Sequence, residues 1–459
     1  MSAPEPSVLS GIRPDGTFAY GPLDDRELAE RLLRRGPDWP PHPAIETEEE
    51  YRRLRFGLLE DELAESGWGV VFPAGIDGRV REALRPLIEH REEEARALFK
   101  PPDDLTLYPR ETWEQFLERH NADRAEVDPE RMPYYLLLVG DPKDIPFEFQ
   151  WGLDYGYAVG RLDLPTPEAY RAYAEAVLAA ERGEHRRSPK AMFFGVRNEG
   201  DRATARTTED LIAPLACRIE RNHVDWEVER ILGAQATRSR LIEVLGGEET
   251  PALLFTASHG MVFEPGDPRQ KEHQGALLCS DWSGPGHPVS REHYFAGEDL
   301  FEGADLRGTI AFHFACHSGG TPVWDSFPEP DAGDLRRRAN EAFLSALPRA
   351  LLGHPRGSAL AVIGHVDRAW TSSFDWYRKG GRPTVFQSVL ESLLGSKRIG
   401  FATESFATLC GGHAKDFAAQ WAHRAMIPKE DLAELARAYR ATSDARGFVV
   451  FGDPAVRLT

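Results

Sequence analysis

Two apolar runs of strand length that each stop at reactive side chains limit what this chain can fold into. Leu253-Leu254-Phe255-Thr256-Ala257 leads into Ser258-His259-Gly260, and Ile310-Ala311-Phe312-His313-Phe314 leads into Ala315-Cys316-His317-Ser318-Gly319-Gly320. Unbroken apolarity, rather than alternation, marks a strand buried on both faces, as in a parallel sheet covered by helices. Open α/β sheets keep their sites at the carboxyl ends of such strands. A histidine and a cysteine delivered there by different strands supply a thiol nucleophile and its base, the pair a cysteine hydrolase requires.

The rest of the chain alternates strand and helix patterns. Strand runs lie at 68–72, 134–139, 158–162, 191–196, 226–231, 358–363 and 448–451, and helical patterns at 79–98, 167–181, 208–221, 239–245 and 337–347. This βαβ order predicts a mostly parallel sheet. A length of 459 residues is more than one ordinary core and suggests two domains. The polar join Arg182 to Pro189 divides them. The expected layout is an N-terminal arm over 1–45 with one short helix near 25–35, a first α/β subdomain over 46–187, and a second over 188–459. The polar stretches 264–274 and 321–334 are too long for compact connections and read as functional loops.

Composition narrows the partners. A formal charge of −19 argues against a nucleic-acid backbone, which needs a concentrated basic face. No run is long enough to cross a bilayer, and Met1-Ser2-Ala3-Pro4-Glu5-Pro6 has neither the basic start nor the apolar stretch of a signal peptide, so a cytoplasmic location without membrane contact is expected. The four cysteines, Cys217, Cys279, Cys316 and Cys410, are widely spaced with no C-x-x-C pair, which speaks against a disulfide framework or a zinc knuckle. His313 and His317 flank Cys316, but period-two alternation sends His313 and Cys316 to opposite faces and no second ligand pair appears. No metal or cofactor is expected; the absence of an EF-hand pattern leaves calcium open.

Four segments carry a resemblance to a known family: Leu138-Val139-Gly140-Asp141-Pro142-Lys143-Asp144-Ile145-Pro146, Thr256-Ala257-Ser258-His259-Gly260, Phe314-Ala315-Cys316-His317-Ser318-Gly319 and Val450-Phe451-Gly452-Asp453-Pro454. In their order and spacing the chain resembles the caspase-like cysteine peptidases, and among these the gingipain type. The resemblance runs from about residue 134 to the C-terminus. It implies a three-layer α/β sandwich with a mostly parallel sheet, in which a noncatalytic caspase-like subdomain precedes the catalytic one. It departs from gingipains in lacking an export signal and C-terminal adhesion regions, which favours a regulated intracellular role.

The activity so implied is that of a cysteine endopeptidase acting on proteins or peptides through a Cys316/His259 dyad and an acyl-enzyme. The N–H groups of Gly260 and Cys316 would form the oxyanion hole. Within Arg197-Asn198-Glu199-Gly200-Asp201, Glu199 matches the acid that orients the histidine. Asp201, Asp367 and Trp370 match pocket positions and favour a basic residue before the scissile bond, while Arg202 and Arg206 keep an acidic preference open. The loop 321–338, acidic and then tribasic at Arg336-Arg337-Arg338, is a place where an activating protease or regulator would act. Two other readings stand beside this one: a catalytically silent caspase-like interaction module, and a cysteine hydrolase acting on a non-peptide substrate.

Overall fold

The apolar runs become strands of one ten-stranded sheet. In chain order these are β1 (Trp68–Val71), β2 (Phe99–Lys100), β3 (Tyr135–Val139), β4 (Ala158–Leu162), β5 (Lys190–Gly195), β6 (Glu227–Leu232), β7 (Leu253–Ala257), β8 (Ile310–Phe314), β9 (Ala361–His365) and β10 (Phe448–Gly452). The computed structural model describes residues 11–21, 23–34, 53–123, 126–247, 249–328, 335–374, 384–428 and 431–459. The expected subdomain start at 46, both ends of the arm, and 329–334 in the 321–338 loop lie outside the described residues.

Across the sheet the order is β2-β1-β3-β4-β10-β9-β8-β7-β5-β6. Every neighbouring pair is parallel except β9 and β10, which are antiparallel. Two parallel blocks of opposite sense therefore meet at one seam, and β10, from the end of the chain, completes the block begun by β1. The carboxyl ends of the two blocks point to opposite edges. β1, β3, β4, β7, β8, β9 and β10 are buried at every position, which requires cover on both faces. The architecture is thus the mostly parallel α/β sandwich expected from the sequence. The edge strand β6 is only partly buried, and its Glu227 and Glu229 pair with Lys190, charges that discourage further strand addition.

Helix α1 (Asp25–Leu33) forms where the arm was expected to be helical, started by the Asp24 carboxylate accepting from the N–H groups of Arg26 and Glu27. Helices α2 (Gly78–Ala95) and α3 (Pro167–Glu181) agree with their sequence patterns and pack on each other. Helices outside the expected patterns include α4 (Thr384–Leu394), α5 (Ile399–Ala422) and α6 (Leu432–Ala445). Among the described residues no helix is long and apolar enough to cross a membrane.

One expectation is overturned. The helix expected over 337–347 is absent: Leu335–Arg337 pairs antiparallel with Trp324–Pro328, Phe343–Leu344 pairs with Gly320–Thr321, and a helix follows only at Ala346–Leu352. The reason is tertiary. Arg338 turns inward to bond the buried Asp325, and Arg336 bonds Glu264, contacts that outweigh a local helical preference. The strand expected at 358–363 also starts three residues later, where Ala361 meets Ile310.

At the carboxyl end of β10, Asp453 ties the end of the chain to the first strand and helix of its own block. Its fully buried carboxylate accepts from Trp68 Nε1 at 2.9 Å and from Arg91 Nε at 2.7 Å. Arg91 on α2 also reaches both carboxylate oxygens of Glu181 on α3, at 2.7 and 2.8 Å, and bonds Glu94. Gly452 has φ 106°, a left-handed conformation suited to glycine, and a Cβ on Gly160 would collide with its carbonyl oxygen. The Gly452-Asp453-Pro454 string is therefore a structural joint.

Candidate active site

The block that runs from β9 to β6 brings five strand ends to one edge. In register, Gly195 of β5 lies beside Ala257 of β7, and Ala257 beside Phe314 of β8. His259 and Cys316 each follow two residues later, so equal register carries them to the same level. The Ser258 N–H donates to the Phe314 carbonyl at 3.2 Å, extending the pairing to the two sites. A Cβ on Gly260 would collide with the Cys316 carbonyl oxygen, so only glycine lets the backbones approach this closely. The structure thus brings together the two strand ends that carry the expected thiol and base.

The carboxylate that meets His259 is Asp201. Its Oδ2 lies 2.5 Å from His259 Nε2, and both side chains are buried. Burial alone would raise the Asp201 carboxyl, but the imidazole and the N–H of Ala203, 3.0 Å away, more than offset it and hold the group below its ordinary value. The loop is pinned by Asn198, whose amide donates to the carbonyls of Cys279 at 2.9 Å and Trp282 at 3.1 Å. Glu199, the acid matched by resemblance, is exposed at the loop surface. Among the described residues His259 Nδ1 has no hydrogen-bond partner although it is buried.

Cys316 is fully buried. Its Sγ accepts from the Ala369 N–H at 3.3 Å and lies 3.6 Å from the Ala369 carbonyl oxygen. Burial pushes the thiol up to about 12. His317 and Asp367 both take left-handed backbone conformations, with φ 58° and 71°, and the His317 N–H donates to the Asp367 carbonyl at 2.7 Å. Two non-glycine residues in this region side by side store strain where the thiol is held.

Around the thiol stands a buried charged cluster that sequence reasoning missed. Arg338 and Arg368 both bond Asp325, and both guanidiniums lie over the Tyr20 ring, at 4.5 and 3.9 Å from its centroid. Asp367 accepts from the Ser326 hydroxyl at 2.7 Å through Oδ2, while its Oδ1 has no donor among the described residues. Trp370 is buried against Phe327, with ring centroids 5.1 Å apart, and its backbone N–H donates to the Asp444 carboxylate at 3.0 Å. Asp367 and Trp370 therefore sit on the segment that touches the Cys316 sulfur, whereas Asp201, expected at the pocket, sits on the histidine. Asp325 and Arg338 lie in the 321–338 loop, where their charge gave no sign that they would be buried. Tyr20 had no local signal at all.

His313 lies away from this chemistry: Nδ1 is 2.8 Å from the Thr256 hydroxyl, and burial lowers the ring to about 3, which keeps it neutral. The described residues hold one group of side chains with metal-ligand spacing, His90, Glu94 and Glu181. Arg91 already bonds both of its carboxylates, so a cation there would displace a guanidinium.

No family model matches this chain, and no curated protein matches it. Solved structures do. One is described as that of a protease, with 12% identity and a TM-score of 0.49 over 86% of this chain and 80% of the other. A second is the complex of the pro- and mature domains of RgpB from Porphyromonas gingivalis, with 12% identity and a TM-score of 0.43 over 85% of this chain and 79% of the other. Both likenesses are distant.

Proposed function

We propose that the protein is a cysteine endopeptidase in which Cys316 is the nucleophile, His259 its base and acid, and Asp201 the group that orients the histidine. The observation that carries this reading is the buried Asp201–His259 pair at 2.5 Å, set at the same sheet edge and level as Cys316. With Nε2 committed to the carboxylate, Nδ1 is the ring atom left to exchange protons. His259 takes the thiol proton as Sγ attacks the substrate carbonyl, then donates it to the leaving amine. A water deprotonated by the same nitrogen releases the acyl group and restores the thiol. The negative carboxylate favours the imidazolium formed at each step. The N–H groups of Gly260 and Cys316 are assigned to the developing oxyanion.

Asp201→Asn is expected to lower kcat by about 10²- to 10⁴-fold with little change in KM, because an amide can present its N–H to the ring and fix the wrong tautomer. Glu199→Gln, at an exposed position, is expected to leave turnover close to wild type. Equal effects of the two substitutions would reverse this assignment.

The preferred residue before the scissile bond is basic. Arg338 and Arg368 are already engaged by Asp325 and Tyr20, whereas Asp367 keeps one buried carboxylate oxygen without a donor, a costly arrangement that an arriving guanidinium or ammonium relieves. Trp370 supplies an aromatic wall on the same segment. A diverse peptide library, digested by the wild-type chain and read by mass spectrometry, tests activity and preference together. Cleavage after Arg or Lys is the expected result; cleavage after Asp would overturn the preference, and the absence of any Cys316-dependent cleavage would overturn the peptidase.

A further inference from the structure

Cys316 and His259 are both fully buried, yet a peptidase dyad must be reached by a polypeptide. Residues 11–20 pack against its histidine and against His317, the residue after the cysteine. The Ile12 N–H donates to the Gly260 carbonyl at 3.1 Å, and the Val262 N–H donates to the Ile12 carbonyl at 2.9 Å, so this stretch adds as a short parallel strand to the segment just after His259. The chain then reverses at Asp15-Gly16. Arg13 N–H donates to Thr17 at 2.9 Å, and Ala19 N–H to Gly11 at 2.7 Å. The Asp15 carboxylate accepts from the Thr17 N–H at 2.9 Å and from its hydroxyl at 2.7 Å, fixing the turn.

The returning limb reaches the reactive residues. The Phe18 ring stands edge-on to His259, with centroids 6.0 Å apart. The Tyr20 hydroxyl shares a hydrogen bond with His317 Nε2, on the residue next to the nucleophile, while the two guanidiniums enclose its ring. Beyond it Gly21 is exposed, and α1 docks independently: Asp25 pairs with Arg440 at 2.6 Å, and Leu28 and Leu32 enter a core with Trp370 and Leu435. The hairpin and the helix thus make separate contacts, with exposed Gly21 at the end of the hairpin.

We propose that residues 11–20 are an intramolecular strap lying in the substrate cleft of a resting form, and that withdrawing the strap, or severing it at exposed Gly21, opens the site. The proposal rests on the peptidase reading above. The edge of 260–262 is a place where an extended substrate can add its backbone, and the strap already holds that edge. The buried thiol of the strapped form is also poorly ionised, which agrees with a resting state.

The test inserts a recognition sequence for a site-specific protease after exposed Gly21 in the full chain, with exposed Cys217 changed to Ser so that it does not react. Alkylation of Cys316 by iodoacetamide, mapped by mass spectrometry, and cleavage of a peptide substrate are followed before and after the cut. Both rates are expected to rise by about 10- to 1,000-fold, the inverse of the roughly 0.1–10% open population of a typical minor state. Cys279 and Cys410, buried elsewhere, must stay unlabelled, which reports that the fold is intact. Should they react, the uncut variant Phe18→Ala with Tyr20→Ala decides, with faster Cys316 labelling expected. Unchanged labelling of Cys316 in both, or measurable peptide cleavage that is equal before and after the cut, overturns the strap. Faster labelling without peptide cleavage keeps the strap and overturns the peptidase.

Discussion

Cys316→Ala is expected to abolish peptide-bond cleavage, a loss on the order of 10⁶-fold in kcat if the thiol is the nucleophile, as for removal of the nucleophile in other acyl-transfer triads. Binding and the oxyanion donors alone leave only a small residual rate over water. The methyl group fits where the sulfur was, so the fold is retained, and the lost hydrogen bond from Ala369 N–H to sulfur is a weak one at 3.3 Å. The comparison is made on opened and intact protein, by initial rates on one cleaved peptide and by melting. Activity that survives in Cys316→Ala with the fold unchanged would remove the cysteine from the chemistry.

Arg91→Met is expected to cost about 3–5 kcal/mol of stability, the usual penalty for leaving buried partners without their charge. Its guanidinium is fully buried and serves Asp453, Glu181 and Glu94 at once. Burial by itself would raise the Glu181 carboxyl, but Arg91 and the bond from His90 hold it at about 2. A depressed folded value means that this contribution is fully present above the ordinary carboxylate range and is lost as pH falls through about 2. Without Arg91, burial dominates and Glu181 takes up a proton more readily in the folded state. The deficit of the variant is therefore expected to be largest near neutral pH and to narrow as pH falls from about 4.5. Urea unfolding at several pH values measures it; a loss below about 1 kcal/mol, or one independent of pH, would show that the charges are not coupled as the distances indicate.

Much of the sheet was legible because β3, β7, β8 and β10 are continuous apolar runs, and double-sided burial writes itself into composition without help from distant residues. Helices α2 and α3 were legible for a similar local reason, with apolar residues on one side and caps at their starts. Helix α4 has the same kind of signal in Phe386, Val389, Leu390 and Leu393, at helical spacing, and was overlooked. Helix α5 is harder, since Phe406, Cys410, His413 and Phe417 bury a mixed face against several neighbours. The 337–347 stretch misled because its three arginines suit a surface helix, and nothing local reveals that Arg338 has a buried carboxylate waiting at Asp325.

The sequence by itself determined the α/β class and which strands end in His259 and Cys316, because strand burial and the residues that stop a strand are local properties. Only the tertiary structure decided that the strands form two opposed parallel blocks joined at β9 and β10, that Asp201 rather than Glu199 stands on the histidine, and that residues 11–20 pack against His259 and His317. Those facts depend on contacts between residues far apart in the chain: Asp201 lies 58 positions from His259, and Tyr20 lies 297 from His317. Pairings at such separation are fixed by the packing and charge complementarity of the assembled chain, and no local stretch of sequence encodes them.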